Sequence, residues 1–196
     1  MKPLAALPEP DSATLNRLHA RLVEAAAADD TLDLAYRTVD TPLGVLLLAA
    51  TPAGLVRVAY QSEGHDAVLA TLADRISPRV LRAPGRLDAV AREIDDYFAG
   101  RRHTFGLPLD LQLAHGFRRE VLTHLRDIAY GSTASYAVVA AATGRPKAVR
   151  AVGTACAVNP LPIVIPCHRV VRSDGSLGNY LGGIAAKRTL LDLEAA

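Results

Sequence analysis

Ile163-Val164-Ile165-Pro166-Cys167-His168-Arg169-Val170-Val171 sets a cysteine beside a histidine inside an apolar, β-branched run. The β-branched residues predict a buried strand. Pro166 removes a backbone donor and restricts Ile165, so the strand should break or leave its sheet there. Cys167 would then stand at a strand end, fixed yet reachable. Most free cysteines are small buried hydrophobes. The polar group Cys167, His168 and Arg169 in an otherwise apolar stretch argues instead for a nucleophilic thiol, whose thiolate something nearby stabilises. In extended backbone, adjacent side chains point to opposite faces, so direct contact between Cys167 and His168 needs a turn. A bridging water is the easier route. The imidazole then needs a carboxylate of its own to fix its tautomer and charge.

The rest of the composition narrows the class. At 196 residues, half of them hydrophobic, the chain holds one large domain or two small ones with a real core, and disorder is excluded. Cys156 and Cys167 are the only cysteines, which speaks against a disulfide scaffold and for a reducing compartment. Two cysteines cannot make a cysteine zinc site, and the six histidines lack ligand-like spacing. No run is long enough to span a membrane, and Met1-Lys2-Pro3-Leu4 lacks the hydrophobic region of a signal peptide, so a cytoplasmic location is expected. Charge is uneven. Residues 1–111 hold 12 Lys and Arg against 15 Asp and Glu, or −3; residues 112–196 hold 10 against 5, or +5. A basic half is weak evidence for a polyanionic partner, because a solvated surface looks the same.

Upstream of the cysteine the periodicity changes twice. Pro3, Pro8 and Pro10 precede Leu15, Leu18, Leu22 and Ala25-Ala26 at helical spacing, which predicts an appended helix capped by Ser12. Residues 34–39, 45–51 and 55–60 read as strands, separated by Thr41-Pro42-Leu43-Gly44 and Thr51-Pro52-Ala53-Gly54. That pattern predicts a three-stranded antiparallel meander. Helices over 65–76 and 87–98 flank a short strand at 79–82, and Tyr97 and Phe98 read as core. This α/β unit carries no chemical motif.

Beyond Pro108 the text is helical. Phe117, Val121, Leu122, Leu125 and Ile128 share one face of a helix over 117–128. Gly131-Ser132-Thr133-Ala134 turns, Thr133 or Ser135 caps a helix over 136–143, and Gly144 ends it. Pro146 suits the first turn of a further helix over 147–158. Two short helices around a glycine turn, the second opened by Arg145, Lys147 and Arg150, outline a helix-turn-helix. Ala148, Ala151, Gly153, Ala155 and Ala157 make that second helix unusually smooth. Tight packing explains part of this, and close approach to a narrow minor groove the rest. Four glycines between Ser173 and Gly183 predict a loop that offers backbone amides to a ligand. The last helix, over 184–194, ends in Glu194, where a carboxylate opposes the helix dipole. A partner such as His168 would rationalise that placement; an exposed terminal glutamate is the alternative.

Five separated motifs resemble, in order, those of the O6-alkylguanine-DNA alkyltransferases, the methylated-DNA–protein-cysteine methyltransferases. They are Ser135-Tyr136; Arg145-Pro146-Lys147-Ala148-Val149-Arg150-Ala151-Val152-Gly153; Asn159-Pro160 with Pro166-Cys167-His168-Arg169-Val170; Gly178-Asn179-Tyr180-Leu181-Gly182-Gly183; and Leu190-Leu191-Asp192-Leu193-Glu194. The resemblance is close over residues 117–194 and looser from Leu34 onward. It implies an α/β (α+β) fold, with a ribonuclease-H-like domain at 32–110 after an extension at 1–31. A helical DNA-binding and alkyl-acceptor domain would occupy 111–196. By the same resemblance Cys167 would accept the alkyl group, His168 would act as base through a water, and Glu194 would orient His168. Asn159 would be the hinge between the DNA-binding helix and the active-site strand. Tyr136 would donate to the departing guanine and contact a phosphate, and Arg150 would fill the gap left by the flipped base. Ser135, Lys147, Ala148, Val149 and Gly153 would complete the DNA contact, and Val170, Tyr180 and Leu181 the base pocket.

The implied activity is one irreversible transfer from O6-alkylguanine in duplex DNA, with O4-alkylthymine left open as a second substrate. The implied protein is a monomer that binds double-stranded DNA through the minor groove and uses no cofactor, metal or membrane. The sequence departs from the family at packing positions: Val149 replaces an alanine of the recognition helix, and Ala137 follows Ser-Tyr. No cysteine precedes Cys156, so the structural zinc site of some relatives cannot be built. The chemistry is consistent with the residues. Displacement at a saturated carbon needs a soft nucleophile, and the thioether formed is not hydrolysed. A cysteine hydrolase with a Cys–His–Glu triad would leave the helix-turn-helix and Arg150 idle. A lesion binder without chemistry would lack Cys167, and a winged-helix regulator would not need the Cys-His pair.

Overall fold

Two tight glycine turns set the first sheet. Strands β1 (Leu34–Thr41), β2 (Gly44–Thr51) and β3 (Gly54–Tyr60) form the expected antiparallel meander. Gly44 and Gly54 both take positive φ, and a Cβ on Gly54 would lie 2.3 Å from the carbonyl oxygen of Pro108. The computed structural model describes residues 11–195; Pro3, Pro8 and Pro10 lie outside them. Helix α2 (His65–Arg75) carries the chain across one face, so the short β4 (Val80–Arg82) joins β1 in parallel. The order is β3-β2-β1-β4, and the sheet is therefore mixed rather than purely antiparallel.

Alternation along the strands feeds two apolar layers. Leu34, Ala49 and Val56 meet Leu72 of α2 on one side. Leu46, Leu48, Leu55 and Val58 face the other, where α3 (Asp88–Phe98) buries Val90, Ile94 and Tyr97. Helix α1 (Ser12–Ala28) buries no residue of its own, and Leu15, Leu18 and Leu22 remain exposed. Its cap is Asp11, whose carboxylate accepts from the backbone N–H of Thr14 at 2.7 Å, so Ser12 is the first helical residue and not the cap.

The second half is a helical layer of α4 (Gly116–Leu125), α5 (Tyr136–Ala142), α6 (Val149–Ala157) and α7 (Gly183–Ala195). Ser135 caps α5 by accepting from Val138 N at 3.2 Å. Pro146 does not open α6 as expected. Arg145 to Ala148 closes a turn of its own, with Ala148 N bonded to Arg145 O at 2.8 Å, and the helix begins at Val149. Leu122, Leu125, Val139, Ala140, Val152 and Ala155 fill the space between α4, α5 and α6. A two-residue parallel sheet ties β5 (Ala134–Ser135) to β6 (Val170–Val171). The halves are stitched through β3, where Leu55 N bonds to Pro108 O and Val58 N to Pro160 O, both at 2.9 Å.

The run expected as a strand ahead of Cys167 is a chain of turns, and only Val170–Val171 is extended. Pro160, Pro162 and Pro166 deny it the donors a ladder needs. Ile163 sits at φ +74°, a left-handed conformation rare for a β-branched residue. Ile165 N returns to Leu161 O at 2.8 Å. Cys167–Arg169 then form one 3-10 turn.

Candidate active site

Asn159 imposes this shape. Fully buried just past the end of α6, it accepts from Leu161 N at 3.0 Å and donates to Ile165 O at 2.9 Å, closing the turn from inside. The same Nδ2 lies 3.1 Å from Cys167 Sγ. The residue expected as a hinge between helix and nucleophile thus holds both ends of the segment that joins them.

Cys167 is 2% exposed. Burial pushes its thiol up to about 11, against the Asn159 amide and the Lys187 ammonium, which pull it down. At neutral pH the sulfur is therefore protonated and has to lose that proton to react. Burial raises Cys156 as well, out of reach of physiological pH.

His168 has no exposed surface, and its Nε2 is 2.8 Å from Glu194 Oε1. Burial would push the Glu194 acid up, yet hydrogen bonds from His168 and Arg169 outweigh it and hold the acid at about 2. An ionised carboxylate only accepts, so Nε2 carries the proton of this pair. Burial lowers the proton affinity of His168 and keeps the ring neutral, against the pull of Glu194. Nδ1 then holds the lone pair, and no protein group among the described residues bonds to it. Glu194 is no loose helix end. Arg169 grips it through Nε to Oε2 at 2.8 Å and Nη2 to Oε1 at 2.9 Å, and Tyr97 donates its hydroxyl to Oε1 at 2.7 Å.

Around the sulfur stand tyrosines and tight glycines. A Cβ on Gly178 would come within 2.3 Å of the Tyr136 hydroxyl, and one on Gly182 within 2.6 Å of the Tyr60 ring. Tyr60, the last residue of β3, shares a 2.8 Å hydrogen bond with the hydroxyl of Tyr180. The Tyr180 ring meets His168 edge-on. Val170 is buried and its carbonyl accepts from Lys187 Nζ at 2.5 Å; Leu181, which follows Tyr180 in sequence, is half-buried.

The residues expected to meet DNA run along β5, α5, the turn after it and α6, and Tyr136 belongs both to them and to the group around the sulfur. Arg150, Val149 and Lys147 are exposed, Ala148, Ser135 and Tyr136 half-buried. Gly153 faces the Tyr136 ring, 4.0 Å from where its Cβ would be. Arg150 makes no side-chain hydrogen bond or ion pair among the described residues, whereas Arg145 is tied to Glu120 and lies over the Phe117 ring.

Sequence reasoning missed Arg169, Lys187, Tyr60 and Tyr97 as parts of the site. Two had a signal. Lys187, Leu190 and Glu194 share one stripe of α7, and all three are buried. A lysine and a glutamate at core positions of one helix are an ion-handling site in outline. Among the described residues no cluster of His, Cys, Asp and Glu fits a metal ion, and no helix is long and apolar enough to cross a membrane.

A mixed sheet with helices, joined to a helical layer that cradles a buried Cys-His-Glu group, has known counterparts. Residues 34–111 match the family described as 6-O-methylguanine DNA methyltransferase, ribonuclease-like domain, and residues 116–196 its DNA binding domain. The methylated-DNA–protein-cysteine methyltransferase of Mycobacterium tuberculosis is 38% identical over 167 residues, covering 81% of this chain and 91% of that protein. The constitutive enzyme of Bacillus subtilis is 38% identical over 160 residues, covering 81% and 94%. The bifunctional transcriptional activator/DNA repair enzyme Ada of Escherichia coli is 39% identical over 168 residues, but the match spans only 47% of it. The crystal structure of the M. tuberculosis O6-methylguanine methyltransferase superposes with a TM-score of 0.69 at 36% identity, over 83% of this chain and 93% of that one. The M. tuberculosis protein in complex with DNA gives 0.70 at 36% identity, over 82% and 92%. The chain belongs to the methylated-DNA–protein-cysteine methyltransferase family.

Proposed function

We propose that this protein repairs DNA by moving the alkyl group of O6-alkylguanine to Cys167 Sγ, once per molecule. The observation that carries the reading is the orientation of His168. Its Nε2 is committed to Glu194, which leaves Nδ1 as the unprotonated nitrogen, one residue along the chain from a thiol that burial keeps protonated. Nδ1 takes the thiol proton through a water. The Glu194 carboxylate stabilises the imidazolium, and Asn159 and Lys187 stabilise the thiolate. Sulfur attacks the alkyl carbon, the carbon–oxygen bond breaks, and guanine leaves. The Tyr136 hydroxyl donates to the base as charge builds on it. The proton lost by sulfur equals the one guanine needs, so thiol and alkylguanine become thioether and guanine. No cofactor enters, because the thiol is both nucleophile and final acceptor.

Cys167 is too deep for a base within the duplex to reach, so the base has to be flipped out. Arg150 fills the space it leaves, and Val170, Tyr180 and Leu181 receive it. Ser135, Lys147, Ala148, Val149 and Gly153 present a smooth, basic face to the minor groove of double-stranded DNA. The DNA complex of the M. tuberculosis relative supports DNA as the partner. We assign 32–110 to the ribonuclease-like domain and 111–196 to the DNA-binding and acceptor domain, working as a cytoplasmic monomer. Intact-mass measurement after mixing with methylated-guanine duplex tests the reading. One methyl gained per protein, mapped to Cys167, is expected; no gain, or repeated turnover, overturns it.

A further inference from the structure

Three donors converge on Glu194 Oε1, and one of them comes from the ribonuclease-like domain. Tyr97 reaches it from α3 at 2.7 Å, alongside His168 Nε2 at 2.8 Å and Arg169 Nη2 at 2.9 Å. A carboxylate oxygen has two lone-pair directions, so three donors share its charge. The Tyr97 ring packs edge-on against Phe98 and Tyr130 and tilts over Phe105. A phenylalanine would fill that volume equally well. The hydroxyl's one bond is to Glu194, and a buried hydroxyl is kept where its partner matters.

We propose that Tyr97 is a positioning residue of the alkyl-transfer site: its hydroxyl holds Glu194 against His168 and draws off part of the carboxylate charge that His168 feels. The inference rests on the reading above of His168 as the base. It makes the ribonuclease-like domain part of the chemistry rather than a scaffold beside it.

The groups facing the His168–Glu194 pair come from five places. Tyr97 belongs to α3. Tyr130 and Gly131 lie ahead of β5; the Tyr130 hydroxyl donates to Leu193 O at 3.2 Å, and Gly131 N approaches Oε2 at 3.4 Å. Cys167 and Arg169 flank His168 in the 3-10 turn. Lys187 of α7 and Tyr180 complete the shell. Burial lowers the proton affinity of His168, Glu194 raises it, and the Arg169 and Lys187 charges lower it again. Deleting the Tyr97 hydroxyl returns charge to Oε1, so the imidazolium gains stability. Below the pH at which His168 is already protonated it cannot act as base, and that acid limb moves to higher pH. A more acidic phenol at the same place is a stronger donor and moves the limb the other way.

The test follows single-turnover mass gain of the full-length protein with O6-benzylguanine free base as a function of pH. Wild type is compared with Tyr97→Phe and with 3-fluorotyrosine placed at position 97. Tyr97→Phe should shift the acid limb upward, slowing transfer about threefold at a fixed pH on that limb. The fluorinated protein should shift it downward. Should Tyr97→Phe fail to fold, the fluorinated protein keeps both ring and hydroxyl and decides alone. A limb at one pH in every protein, with only its height changed, or a shift of the opposite sign, overturns the inference. Failure of the underlying reading looks different: wild type itself would gain no mass.

Discussion

The side-chain amide of Asn159 lies 2.9 Å from Ile165 O and 3.1 Å from Cys167 Sγ, so one donor group shapes the turn and solvates the sulfur. Asn159→Asp keeps the acceptor for Leu161 N but replaces the donor with negative charge. The thiolate then loses a partner and gains a repulsion. Ionisation of Cys167 should move above its value of about 11, and alkyl transfer at neutral pH should slow at least about tenfold. Labelling of Cys167 as a function of pH, set beside the transfer rate, checks both; an unchanged rate would confine Asn159 to the fold.

Cys167→Ser should abolish alkyl transfer while leaving affinity for duplex DNA near that of wild type. The nucleophile is buried in the 3-10 turn, whereas the exposed face of α6 carries Arg150. Alkylated protein in this variant would point to Cys156, the only other thiol.

Glu194→Gln tests the carboxylate twice. A neutral amide can hold His168 but cannot stabilise its positive charge, so transfer should slow without loss of the fold. The same variant should alter acid stability. The folded-state acid sits at about 2 against an ordinary 4.5, so its contribution is complete above 4.5 and disappears as pH falls toward 2. Wild type should lose stability through that window, and the variant should show a flatter curve. Urea unfolding at several pH values reads this directly, and parallel curves would contradict the depressed acid.

Arg150→Ala separates two uses of one charge. A phosphate contact would weaken binding to every duplex alike and reduce the salt slope by about one unit. A side chain that fills the vacated stack would slow repair of alkylguanine in duplex DNA and spare reaction with free benzylguanine. The second outcome is expected, because Arg150 is exposed on α6 and engages no other side chain among the described residues. An equal fall in both rates would remove the finger assignment.

Local patterns carried much of the fold. The meander announced itself through alternation and through Gly44 and Gly54, because the turn chemistry lies within four residues. The apolar run before Cys167 misled, since β-branched composition cannot reveal an asparagine that closes the turn from inside. The parallel placing of β4 depends on the crossover of α2, which periodicity does not orient. In the site, Cys167, His168, Asn159 and Glu194 could be singled out because motif and spacing mark them. Tyr97 could not. It is separated by 97 residues from Glu194, and along α3 it shows the same phase as Ile94 and Val90.

Ala134 pairs with Val170 and Ser135 with Val171, so the cap of α5 is hydrogen-bonded to the strand that leaves the nucleophile. Reader and reactor therefore do not come apart as cassettes. A foreign helix-turn-helix grafted over residues 134 to 159 would drag the sulfur out of register unless it reproduced two backbone pairs and the asparagine at 159.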